Sequence, residues 1–220
     1  MMRIPSKVAV GYALVVVLLE VCVDSLAGLR AAVEGGAGRL EVCSRLDQGG
    51  LTPTDDLLTA ALATGVTSFA MIRPRGGDFV HTREEIESMW ADLARTKALG
   101  AHGFVLGVLD EQCSVPYAVL HQFVALASPL PVTFHRAFDR VSDREHALET
   151  LIACGVTRVL TSGGADDAHT GRHALRTLVE QARGRITILP GGGVRAHNAA
   201  EIVHATGVNE LHSSTVFQTG

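Results

Sequence analysis

Eight short apolar runs recur along the chain, each separated from the next by a longer amphipathic stretch, and this alternation restricts the fold more than any other feature. The runs are LLEVCVD (18–24), RLEVCS (39–44), SFAMIRP (68–74), GFVLGVL (103–109), PVTFHRA (131–137), RVLTSG (158–163), RITILPG (185–191) and VNELHSS (208–214). Between them, residues 26–34, 54–63, 83–99, 115–127, 143–153, 171–182 and 196–205 carry the helical period. Gly35, Gly65, Gly100, Gly155, Gly184 and Gly207 stand where helix-ending glycines belong. Thr82-Arg83-Glu84-Glu85 reads as a capping box and Asp143 as a helix N-cap. Repeated strand–helix units build a parallel sheet. Eight of them predict an α/β fold, a TIM (β/α)8 barrel in a single domain, with 220 residues at the low end of that fold's size range. A doubly wound open sheet would carry GxGxxG after its first strand, and VDSLAGLRAA there does not. Few residues follow the eighth strand, so the eighth helix is expected to be short or missing.

The N-terminus needs separate treatment. Val8 to Leu19 form an apolar run behind Arg3 and Lys7, and Ser25-Leu26-Ala27 would pass as a leader cleavage site. Cleavage there would remove the first strand, and the run falls well short of the roughly 20 residues of a membrane span. Its end is therefore read as a buried strand. Residues 1–17 form an N-terminal extension, with the first dozen a tail or a misplaced start, and residues 18–220 form the barrel.

Charge and composition exclude several functions. A net charge of −4 and no basic cluster argue against nucleic acid, which demands a concentrated positive surface. No membrane partner is expected. Lys7 and Lys97 are the only lysines, which leaves Schiff-base chemistry almost without a candidate. The four cysteines, Cys22, Cys43, Cys113 and Cys154, form no CxxC pair and suit a reducing, cytoplasmic setting.

Side-chain parity along the strands supplies the functional signal, since alternate residues face opposite sides of a sheet. Glu20 and Cys22 oppose Val21 and Val23, Glu41 and Cys43 oppose Leu40 and Val42, and Arg73 opposes Ile72. His135 opposes Phe134, and Glu210 with His212 opposes Leu211. If the apolar set packs under the helices, Glu20, Cys22, Glu41, Cys43, Arg73, His135, Glu210 and His212 point into the barrel. They should converge towards its C-terminal mouth, where barrels of this kind hold their active sites. Buried charges persist only when paired, solvated or bound to something. A self-satisfied ion network, with Arg73 bridging Glu20 and Glu41, is the simplest explanation. His81, His102, His121, His146, His169, His173, His197 and His204 fall outside the strands and read as solvated surface.

Cys22 and Cys43, on neighbouring strands, could form a disulfide, pack as small hydrophobes, or hold a soft cation such as Cu(I) or zinc. Arg73 and Arg75 in MIRPRGGDF suit an anionic group, unless Arg75 and Asp78 only brace the turn. Gly191, Gly192 and Gly193 after strand seven, Ser213 after strand eight and the TSGG loop at 161–164 occupy positions where such barrels bind phosphate through backbone amides. His135 with Glu20, Glu41 or Glu210 could move protons, or with His212 hold a divalent metal.

Taken in order, LEVCVDS, LEVCSRLDQGGLTPT, MIRPRGGDF, VTFHRAFD, RVLTSGG and ILPGGGV resemble the CutC copper-homeostasis family over roughly residues 18–214. That resemblance implies a cytosolic TIM barrel that forms homo-oligomers and takes part in copper handling, with Cys22 and Cys43 as the Cu(I) ligands. Two other functions stand beside it. One is a barrel enzyme of lyase, isomerase or hydrolase type acting on a small anionic or phosphorylated metabolite, in which Glu20, Glu41, Arg73, His135, Glu210 and His212 would do the chemistry. The other is a structural barrel that serves as an interaction scaffold.

Overall fold

In the computed structural model, which describes residues 7–10 and 13–214, each of the eight apolar runs forms a strand of one parallel sheet. A short antiparallel hairpin precedes them, β1 (Lys7–Val10) paired with β2 (Ala13–Val16). The barrel strands follow: β3 (Leu18–Val23), β4 (Arg39–Val42), β5 (Thr67–Met71), β6 (Gly103–Leu106), β7 (Val132–Phe134), β8 (Arg158–Thr161), β9 (Thr187–Pro190) and β10 (Glu210–Ser214). Ladders run in the order β10-β3-β4-β5-β6-β7-β8-β9, and β9 lies against β10 to bring the sheet almost to closure. Seven α-helices are found among the described residues: α1 (Leu26–Glu34), α2 (Asp55–Leu62), α3 (Arg83–Ala98), α4 (Tyr117–Ala127), α5 (Arg144–Cys154), α6 (Arg172–Ala182) and α7 (Ala199–Thr206). The expected shortfall of the eighth helix concerns residues 215–220, outside the described part. The same holds for the proposed tail at residues 1–6 and 11–12, while the hairpin gives order to an extension read from sequence as a plain tail. Among the described residues no helix is long and apolar enough to cross a membrane.

Local chemistry explains the boundaries. Thr82 and Glu85 form the reciprocal capping box that opens α3, and Asp143 accepts the His146 N–H to open α5. At the end of α1 the left-handed residue is Gly36, one beyond the expected Gly35. Two hydrophobic layers result. Valines and leucines of the outward parity, such as Val23, Leu40, Val42 and Ile72, pack under the helices. A smaller inner cluster of Cys22, Cys43, Phe69, Met71 and Val105 fills the barrel interior. The parity assignment therefore holds, and it sets the site inside the sheet.

Candidate metal centre and mouth of the barrel

Register and parity stack the inward residues in tiers. Glu20 pairs with Arg39 and His212 across β3's two neighbours, and one step further along β3 Cys22 pairs with Glu41 and Ser214. The lower tier is ionic. Arg39, 2% exposed, donates through Nε to Glu20 and through Nη2 to Glu210 at 2.6 Å, and Arg158 donates to the same Glu210 at 3.0 Å. Both guanidinium groups lie over the Phe69 ring, 5.3 and 5.4 Å from its centroid. Gly103 has no side chain because a Cβ there would sit 2.7 Å from that ring. Burial opposes charge on Glu20, but the His212 hydrogen bond and the Arg39 charge outweigh it and hold the carboxyl at about 2.

This tier corrects the sequence reading twice. The bridging arginine is Arg39, not Arg73, and it joins Glu20 to Glu210, not to Glu41, although Arg39 shares its parity with Glu41. Glu20 and Glu210 lie beneath the mouth and do not line its cavity.

Above the ions lies the thiol tier. The Cys22 and Cys43 sulfurs are 3.4 Å apart, and both residues are buried. Cys22 also bonds the Glu41 carboxylate, whose Oε2 is buried with no partner. Ligand atoms of Cys22, Glu41 and His212 all lie within 4.8 Å of one another. Glu20 Oε1 is 2.8 Å from Nδ1 of His212, which fixes the ring and leaves Nε2 as the nitrogen that can meet an ion. Its bond with Cys43, burial and the Glu41 charge all push the Cys22 thiol up, while burial raises Glu41. In its resting state the Cys22 thiol holds its proton, so an ion bound there must displace it. Two strand-end thiols, a carboxylate and an oriented imidazole suit a soft or borderline ion.

The uppermost tier opens to a cavity of about 220 Å³ lined in part by Cys22, Glu41, His212, Arg73 and His135. His135 follows β7 and caps the 3-10 turn Arg136–Arg140, its Nδ1 accepting the Ala137 N–H at 3.2 Å. The ring fits because Gly107 lies opposite, where any Cβ would strike it. Burial, reinforced by the Arg73 charge, lowers His135 to about 3, so it is neutral at ordinary pH. Arg73 donates to the carbonyls of Gln48, Gly50 and Gly77 and stacks over Phe79. Arg75 instead pairs with Asp78 and Glu85 and braces the turn.

The glycine loops divide. Gly192 and Gly193 line the cavity with positive φ and Ser213 joins them, whereas Gly191 donates its N–H to Thr161 and makes room for Leu160 and His212. The TSGG loop, expected to offer backbone amides to a phosphate, is held by Asp139, which accepts from the Ser162 and Gly164 N–H groups and the Thr161 hydroxyl. Sequence parity does not reach Asp139, because it lies in the turn after β7. His81, expected at the surface, has its side chain fully buried, with Nδ1 3.4 Å from Glu85 Oε2 and Nε2 without a hydrogen-bond partner. Cys113 is exposed and Cys154 bonds the Tyr117 carbonyl, so neither belongs to the centre.

Comparison with known proteins agrees with this architecture. A family model described as "CutC family" matches residues 17–217. The mouse "Copper homeostasis protein cutC homolog" is 46% identical over 198 residues, covering 90% of this chain and 73% of the relative. A CutC family protein of Vibrio campbellii is 48% identical over 199 residues, covering 89% of this chain and 81% of its own. A crystal structure from Streptococcus agalactiae, described as a CutC protein, superposes with a TM-score of 0.85 at 33% identity, covering 90% of this chain and 98% of that one. A thiamine phosphate pyrophosphorylase from Pyrococcus furiosus, 18% identical with a TM-score of 0.60 over 90% of this chain and 86% of that one, shares the barrel fold alone.

Proposed function

The chain belongs to the CutC family, and from that premise we propose that it takes part in copper homeostasis by binding Cu(I) between Cys22 and Cys43. The observation that carries this reading is the 3.4 Å separation of two buried sulfurs. A metal–thiolate bond of about 2.3 Å lets one ion touch both sulfurs at that spacing, with an S–metal–S angle near 95°. Linear two-coordination requires them to part to about 4.6 Å. Without such widening, the ion needs a further donor, and Glu41 Oε2 or His212 Nε2 stands ready to provide one. Copper is here the cargo. It enters from the mouth, which Cys22 lines, and its arrival expels the thiol protons. The same reading expects a cytoplasmic protein, since its cysteines are free thiols and copper in that state needs a reducing compartment, and the family resemblance carries with it the expectation of homo-oligomers.

Titration of the reduced protein with Cu(I) against a competing chromogenic chelator tests the reading. One ion per chain is expected, and it should be lost in the Cys22→Ser, Cys43→Ser double variant. Equal stoichiometry and affinity in the two proteins would sink the thiol pair as the copper site. Glu41→Gln and His212→Phe then separate two-coordinate from higher-coordinate binding, because only the latter weakens with either change.

A further inference from the structure

Copper held by two thiols gives no role to the opposite wall of the same cavity. Arg73 is only 5% exposed, yet no carboxylate among the described residues pairs with it. Its Nη atoms are occupied by three backbone carbonyls, and its Nε–H is a buried donor with no acceptor. Beside it, His135 is 4% exposed. Because Nδ1 accepts the Ala137 N–H, the neutral ring carries its proton on Nε2, and that nitrogen is also buried without a partner. The two groups share Phe79, which lies 4.8 Å beneath the guanidinium and 4.9 Å from the imidazole. The two residues that carry these orphaned donors, one of them cationic, thus line a single small cavity.

An unmade buried hydrogen bond and an uncompensated buried charge are both costly, and one acceptor bearing negative charge relieves both. The rest of the wall agrees in sign. Arg195 also lines the cavity, as does Arg136, itself paired with Asp139, while Glu41 is the one carboxylate of the lining, and Gly192 and Gly193 complete it. The volume, about 220 Å³, is that of some seven waters, enough for an oxyanion with a few attached carbons.

We propose that the mouth binds a small oxyanion, the carboxylate or phosphate group of a small metabolite, between Arg73 Nε and His135 Nε2. This site is distinct in its residues from the thiol pair and does not depend on copper.

The probes are inorganic phosphate and acetate, each titrated at constant ionic strength into the intact protein labelled with ¹⁵N-histidine. A saturable shift of the His135 Nε2 resonance is expected with at least one of them. A tighter response to phosphate assigns the guest to phosphate esters, and a tighter response to acetate assigns it to organic acids. Arg73→Gln should weaken binding at least tenfold, while Arg83→Gln on the exposed face of α3 leaves it unchanged. The Cys22→Ser, Cys43→Ser variant should bind the anion as the parent does, so failure of the copper reading and failure of this one are separable. A His135 resonance unmoved by both anions overturns the proposal, as does equal affinity in Arg73→Gln. Should that variant fail to fold, the wild-type titration alone decides.

Discussion

Replacing Arg39 by methionine tests whether the ionic tier is what keeps the floor of the barrel in place. Methionine keeps the apolar stem but not the guanidinium that stacks over Phe69, so a small packing loss accompanies the main effect, in which Glu20 loses its guanidinium partner while remaining fully buried. Breaking a buried pair from one side costs about 3–5 kcal/mol. The lower part of that range applies, because Arg158 still holds Glu210 at 3.0 Å and His212 still bonds Glu20. The expected loss is thus about 3 kcal/mol at pH 7. Its pH dependence follows from the carboxyl. Glu20 sits at about 2 in the fold against an ordinary 4.5, so its contribution is present above 4.5 and disappears as pH falls towards 2. In the variant, burial without Arg39 raises the folded-state value, Glu20 takes up a proton earlier, and the stability gap to wild type narrows as the pH drops. Urea unfolding followed by circular dichroism at pH 7 and pH 4 reads both effects. A Glu20→Gln, Arg39→Met double variant, which leaves no buried charge unpaired, should recover at least half of the loss. A deficit below about 1 kcal/mol at pH 7, or a gap that stays constant or widens at pH 4, refutes the reasoning.

Three further outcomes are expected. Gly107→Ala places a methyl against the His135 ring and should cost about 1–3 kcal/mol in denaturant unfolding, with a displaced His135 resonance. His135 is held neutral down to about 3, so protonation favours the unfolded chain from pH 6.5 downwards, at about 1.4 kcal/mol per pH unit. The stability difference between wild type and His135→Phe should therefore shift by roughly that slope between pH 6 and 4, and a flat difference would show that His135 titrates normally. Thr82→Ala removes one half of the capping box on α3 and should cost about 1 kcal/mol, read from the thermal midpoint.

Strand and helix positions were legible in the sequence because the barrel needs the same alternation of period two and period 3.6 in every unit. Parity also separated inside from outside, since Val21, Leu40 and Ile72 had to face the helices. What parity could not show was depth. Glu20 and Cys22 share a face, yet one step of two residues puts the first on the floor and the second at the entrance to the cavity. Arg39 carries the same parity as Glu41, but it opens its strand, where a polar residue reads as a boundary. Asp139 and His81 gave no periodic signal, being placed by turns whose geometry depends on the completed barrel. Charge alone pairs Arg73 with the glutamates, whereas the distances give it to loop carbonyls.

The vertical order of the tiers bears on how a metal could be tolerated so deep in the sheet. Two thiols that become thiolates around one Cu(I) lose two positive charges as protons and gain one, leaving the middle tier one unit more negative. In an apolar shell that unit would be expensive. Here it develops beside a ring that Glu20 holds in place, above the Arg39 and Arg158 guanidinium groups, and across the cavity from Arg73. The floor is neutral as a set, since its two arginines offset Glu20 and Glu210, so it neither repels nor strongly attracts the ion. The Glu41 and Glu20 charges raise the affinity of His212 for a proton against the effect of burial, so a metal bound through its Nε2 competes with a proton there. Removing Glu20's hold on that ring should therefore alter copper affinity without touching a ligand. That behaviour distinguishes an electrostatically prepared site from two cysteines that merely lie close together.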